Sequence, residues 1–156
     1  MSPILLATDL SPWCDRAKER AILLARRLGR PLRVVVVVEN DPGEAEMRRI
    51  ATDLSEMLAA EAGDLATETV IRQGEAWEEI GAEVRSSGAG LVVMGRHRSD
   101  ALRDFFLTPT AALVDAGPPI LQAVNASSGA WRDVVVCTDF SERGRRALDQ
   151  AVALAG

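Results

Sequence analysis

The sequence predicts an α/β domain built on a parallel sheet, and three features carry that expectation. Short runs rich in valine and isoleucine alternate with longer stretches in which apolar residues recur every three or four positions, the order of repeated βαβ units. Most of the short runs are apolar nearly throughout, as strands are when helices cover both faces of a sheet. The opening strand and helix then recur near the C-terminal end without a gap, so the chain reads as one domain followed by the start of a second copy.

Residues 4–8, 33–38, 67–72, 91–95 and 120–124 read as five strands. Ahead of the first helix, Ser11 offers an N-cap and Pro12 a first-turn proline, a position where the missing N–H costs no hydrogen bond. That helix places Ala17, Ala21, Leu24, Ala25 and Leu28 on one face, which must meet the sheet. Met47, Ile50, Leu54, Met57 and Leu58 mark the second helix, and Trp77, Ile80 and Val84 the third. A fourth would use Leu102, Phe105, Phe106 and Leu113, with Pro109 bound to kink or end it.

The repeat aligns ILLATDLSPWCDRAKERAILLA with VVVCTDFSERGRRALDQAVALA. Thr8 pairs with Thr138, Asp9 with Asp139, Ser11 with Ser141, Arg16 with Arg146, Ala17 with Ala147, Ala21 with Ala151 and Ala25 with Ala155. The offset, about 130 residues, is an ordinary domain length. Residues 1–125 are therefore expected to form the domain, 126–132 a polar linker, and 133–156 the first strand and helix of an incomplete second copy.

Bulk properties narrow the function. The 156 residues are 47% apolar and 26% charged, enough for one core without metal or disulfide staples. Cys14 and Cys137 lie far apart and fit a reducing compartment better than a disulfide framework. No basic-then-apolar leader opens the chain, and the apolar run over residues 33–39 is far short of the ~20 residues a bilayer span needs. A cytoplasmic protein without a membrane segment is expected. The net charge of −5 argues against broad phosphate-driven nucleic-acid binding and leaves room only for a local basic patch.

ATDLS after the first strand, LVVMGRHR at the end of the fourth and PPILQAV as the last strand together resemble the universal stress protein family, over residues 3–124 and again from Asp133. The resemblance implies a five-stranded parallel sheet in the order 3-2-1-4-5 with helices on both faces, of the adenine-nucleotide alpha-hydrolase-like type, with a C-terminal strand-helix unit added here. It also implies a homodimer or tandem-domain pair. Many members bind ATP at the carboxyl ends of the first and fourth strands. By that resemblance Ala7, Thr8 and Asp9 border the adenosine, Val38 touches the adenine, and Met94 and Gly95 open the phosphate loop.

The loop itself departs from the family pattern G-x2-G-x9-G-[ST]. Gly95 stands in the first place, but Arg98 replaces the second glycine, Thr108 the third and Pro109 the hydroxyl residue. Glycine lets backbone N–H groups approach phosphates, and proline has no N–H to offer. One lost hydrogen bond to a charged phosphate costs about 1.5–3 kcal/mol, roughly ten- to a hundredfold in affinity. Arg98, Thr108 and Thr110 complete the candidate site if nucleotide binding is retained, and ATP with magnesium is then the ligand. Arg96, His97, Arg98 and Arg103 form a basic cluster that could draw an anion or lie solvated on a loop and helix start.

Other chemistry finds little support. Asp9 and Asp139 sit at the expected ligand edge, yet either could instead serve a helix N-terminus. Ser11 and Ser141 read as caps, since no base is placed to activate them. Cys14 is a small helix-start residue or a thiol of lowered pKa. Trp13, Trp77 and Trp131 are too scattered for a stacking platform, and one histidine with two distant cysteines gives no zinc spacing. The expectation is a non-enzymatic stress-response protein acting through dimeric or tandem contacts with an unidentified protein partner, with no metal and with nucleotide binding weak or lost. An ATP- or AMP-binding switch is the alternative.

Overall fold

The computed structural model describes residues 1–39, 41–95, 117–124, 131, 134–138 and 140–155. In chain order these form β1 (Ile4–Ala7), a 3-10 turn (Pro12–Cys14), α1 (Asp15–Leu28), β2 (Leu32–Val38), α2 (Glu44–Glu61), β3 (Thr67–Gln73), α3 (Ala76–Ser87), β4 (Leu91–Met94), β5 (Ile120–Gln122) and α4 (Glu142–Ala155). The chain divides into two compact units, residues 1–125 and 126–156. The helix expected from Leu102, Phe105, Phe106 and Leu113 lies outside the described residues.

All five strands run parallel in the order β3-β2-β1-β4-β5. Ile4 and Leu91 are register partners at the start of the central pair, and Ala7 and Met94 at its end. Every residue of β1 and β4 is buried, which is why ILLA and LVVM carry no polar residue. One sheet face contributes Leu5, Ala7, Val35, Val92 and Met94 to a core closed by Ile80, Val84 and Ala89, with Val37, Trp77 and Ile120 packed against it. On α1, which packs on β1 and β4, Ala17, Ala21 and Ala25 are fully buried; alanines four apart allow the helix axis a close approach to the strands.

Helix ends are fixed by specific residues. α1 stops at Gly29, whose φ of +60° suits glycine, and the Arg30 N–H reaches the Ala25 carbonyl at 2.9 Å. Arg26 donates to the last carbonyls of α2, Glu61 at 3.2 Å and Ala62 at 3.0 Å, while Lys18 pairs with Glu61 at 2.6 Å. Ser11 does not cap as the sequence suggests. It precedes the 3-10 turn, its side chain makes no cap bond, and α1 starts only at Asp15. Its counterpart Ser141 does cap, accepting the Gly144 N–H at 3.2 Å.

The expected second strand over residues 133–138 is corrected in part. Residues 134–138 carry no strand among the described residues, although α4 follows as expected. A strand exists only through a partner's ladder, and a sequence can specify the apolar run without supplying that partner.

One buried charge was not legible in the pattern. Glu83 on α3 is 0% exposed and is held by Arg33 of β2 and by Arg72 of β3, the latter through Nη2 at 2.6 Å and Nε at 2.7 Å. Arg33 also pairs with Glu68, and Arg72 with Glu79 at 3.2 Å. Burial alone would raise the Glu83 carboxyl, but hydrogen bonds and charge from Arg72 and Arg33 outweigh it and hold the group below its ordinary value. Glu83→Gln should cost about 3 kcal/mol at pH 7, because Arg33 and Arg72 lose the buried carboxylate they share and keep only the more exposed Glu68 and Glu79. Since the folded carboxyl is the stronger acid, this stabilisation is complete above the unfolded value and is lost as pH falls from there through the lower folded value. Urea unfolding of both proteins at neutral and acidic pH should show the gap narrowing on acidification; a gap that stays constant would contradict it.

Candidate functional site

The strand order reverses at β1. The chain leaves β1 toward β2 and later returns to β4 on the other side, so the connections beyond the carboxyl ends of these strands diverge. A cleft of 460 Å³ opens there. Its floor is the upper layer of the α3-side core, Ala7, Val35, Val37, Ile80, Trp77 and Met94. Its rim is polar: Thr8, Asp9, Glu39, Asp41, Glu46 and Gln122. An apolar base with a few polar groups at the edge is the usual form of a small-molecule site.

Six residues carried over by resemblance, Ala7, Thr8, Asp9, Val38, Met94 and Gly95, all line this one cleft. The ladder holds them in place, with Thr8 N–H bonded to the Val35 carbonyl at 3.1 Å and Ala123 N–H to the Met94 carbonyl at 2.9 Å. Arg98, Thr108 and Thr110 lie outside the described residues. Glu39, Asp41, Glu46, Trp77 and Gln122 were missed. The acidic three flank the Pro42-Gly43 turn after β2, and a loop leaving a strand's carboxyl end is where crevice residues are to be sought. Trp77 was assigned to packing, and it does pack on the core while also facing the cleft.

The turn after β1 is strained and doubly tied. Leu10 has φ +60°, a left-handed conformation that costs a branched residue roughly 1–2 kcal/mol. Its N–H donates to Thr8 Oγ1 at 3.0 Å, and the Ser11 N–H donates to Asp9 Oδ1 at 2.9 Å. Phe140, at the matching place in the repeat, has the same φ of +60°, and its N–H reaches Thr138 Oγ1 at 3.0 Å. The left-handed residue and its N–H bond to the threonine two positions earlier therefore recur with the sequence. Asp9 ties this turn through one oxygen and also lines the cleft; it does not sit at the start of α1, which begins at Asp15.

Electrostatics decide what Cys14 can do. Burial would raise the Asp9 carboxyl, but the polar groups of Ser11 and the Cys14 thiol more than offset this and hold it low. Burial and the Asp9 carboxylate in turn push the Cys14 thiol up, away from the reactive thiolate. Among the described residues no group of three or more histidine, cysteine or acidic side chains is arranged to hold a metal ion. No helix among them is long and apolar enough to cross a membrane. Half-buried Cys14 should thus alkylate more slowly than exposed Cys137. Asp9→Asn should speed labelling of Cys14 about threefold near neutral pH by removing the nearby negative charge. Peptide mapping after timed iodoacetamide treatment reads both rates; Cys14 reacting first in the unmodified protein would refute this assignment.

Comparison with known proteins agrees with this geometry. No curated protein matches the chain. Among solved structures, a universal stress protein from Archaeoglobus fulgidus in complex with dAMP superposes with a TM-score of 0.61 at 21% identity, over 78% of this chain and 97% of that one. A member of the same family from Burkholderia pseudomallei gives 0.55 at 25% identity over 78% and 94%. A further protein, from Archaeoglobus fulgidus DSM 4304, gives 0.59 at 23% identity, and here 78% of this chain spans only 44% of the other. The sequence profile of the universal stress protein family matches residues 1–114. With the 3-2-1-4-5 sheet and the cleft at its switch point, that match establishes that the chain belongs to the universal stress protein family.

Proposed function

We propose that this protein is a non-enzymatic, cytoplasmic binding module of the stress response that retains the nucleoside end of the family cleft and binds ATP weakly or not at all. One observation carries the reading: Ala7, Asp9, Val38 and Met94 line a cleft of 460 Å³, whereas the sequence after Gly95 has arginine, threonine and proline where glycine, glycine and a hydroxyl residue would hold phosphates. The dAMP bound to one relative, and the cAMP bound to another universal stress protein, support a nucleotide-derived ligand for this cleft. Calorimetry with ATP and magnesium should give at best a Kd well above the low-micromolar range, weaker by roughly ten- to a hundredfold than an intact loop would allow. Low-micromolar binding would replace this reading with an ATP- or AMP-driven switch.

Protein contacts are the second part of the proposal. Phe140 is 93% exposed, Val135 89% and Val152 65%, and large apolar side chains exposed to this degree gain from cover. The reading assigns that cover to a second copy of the chain or to a tandem domain. Light scattering should find the full chain at least dimeric, and removal of residues 126–156 should lower its mass to that of a monomer. A monomer before and after removal would refute the assembly.

A further inference from the structure

We propose that the indole of Trp77 is the surface on which the cleft stacks its ligand, so that the site selects a flat aromatic ring, and a purine over a pyrimidine. The inference rests on the nucleoside reading above and names the residue that recognises the base. Trp77, Ile80 and Val84 stand three and four positions apart on α3 and share the helix face that meets the sheet. Ile80 and Val84 are buried in the α3-side core. Trp77, where this stripe reaches the carboxyl edge of the sheet, is only half-buried; it packs on the same core and also lines the cleft. A leucine would be enough to end an apolar stripe, whereas an indole adds a broad π face that another aromatic ring can cover.

The backbone that carries Trp77 is tied on both sides of it. β3 ends at Gln73, and Gly74 turns the chain with φ +144°, a conformation that favours glycine, while its N–H bonds the Val38 carbonyl at 3.0 Å. That bond joins two strand ends only three residues before Trp77. Beyond it, Glu79 pairs with Arg72 of β3 at 3.2 Å, and Glu83 is held by Arg72 at 2.6 Å and by Arg33. The ring is thus in place before a ligand arrives, and a side chain with two torsions loses little freedom on stacking. Val35, Val37, Val38 and Met94 line the same cleft and add apolar surface for a base. Every base has a π face, so stacking tolerates different bases, and the larger purine ring system gains more from it.

The test uses the full chain carrying Trp13→Phe/Trp131→Phe, in which Trp77 is the one tryptophan left of three. Adenosine should quench its emission with the Kd that calorimetry gives, and cytidine should bind roughly fivefold more weakly. Trp77→Phe in the otherwise unaltered chain should keep adenosine affinity within about threefold, because a smaller ring still stacks. Trp77→Leu should weaken adenosine about tenfold and bind the two nucleosides alike. If Trp77→Leu unfolds at the working temperature, the emission titration decides alone. Adenosine binding that leaves Trp77 emission unchanged, or that is as tight in a folded Trp77→Leu, would overturn the inference and leave the nucleoside reading standing. Absence of binding by both nucleosides, read by calorimetry on the unaltered chain, is a separate outcome, which removes the nucleoside reading itself and this inference with it.

Discussion

The packing of β1 between β2 and β4 is the constraint on which the rest of this protein depends. Four consecutive apolar residues on β1 and four on β4 can be buried on both faces only if helices lie above and below them. Helical crossovers between parallel strands are right-handed, so those leading away from β1 and those returning to β4 must lie on opposite faces. Where they part, the sheet's carboxyl edge cannot be closed, and the uppermost core residues, Ala7, Val35 and Met94, become the floor of a cleft. The candidate site is thus a consequence of the topology rather than an addition to it.

The ties around this frame divide into stiff and adaptable parts. Glu83, locked between arginines from two neighbouring strands, fixes α3 to the β2–β3 side and with it the position of Trp77 and Ile80 beneath the cleft. The Thr8–Ser11 turn spends two side-chain bonds on holding Leu10 in a left-handed conformation, which fixes Asp9 at the cleft's edge. Glu39 and Asp41 lie exposed on the connection after β2 and Glu46 in the first turn of α2, where a change of side chain leaves the core untouched. A family built on this sheet can therefore alter what the cleft accepts without altering how the domain folds.

The strands and first three helices were legible because burial on both faces writes itself as continuous apolar runs, and burial of one helix face as spacings of three and four. Ile4–Ala7 and Leu91–Met94 could hardly be anything else. Strand order was not legible in periodicity and came from resemblance, since the pattern records which residues are buried and not which strands are neighbours. Glu83 was missed because its partners, Arg33 and Arg72, lie 50 and 11 positions away. Ser11 misled because a cap depends on where the helix begins, and the 3-10 turn delays that by several residues. At the site, residues fixed to strand ends were found by resemblance, whereas Glu39 and Asp41 belong to a connection, and Glu46 to the helix start after it, whose course only the structure supplies.

The central proposal is that the cleft takes the nucleoside part of a ligand and that the sequence after Gly95 lacks the glycines and the amide a triphosphate cradle needs. A crystal structure of the full chain with millimolar ATP and magnesium tests it most directly. The account predicts base and ribose density beside Val38 and Met94, with no ordered contact from the chain after Gly95 to the β- and γ-phosphates. A triphosphate wrapped by the backbone of residues 95–110 would contradict it.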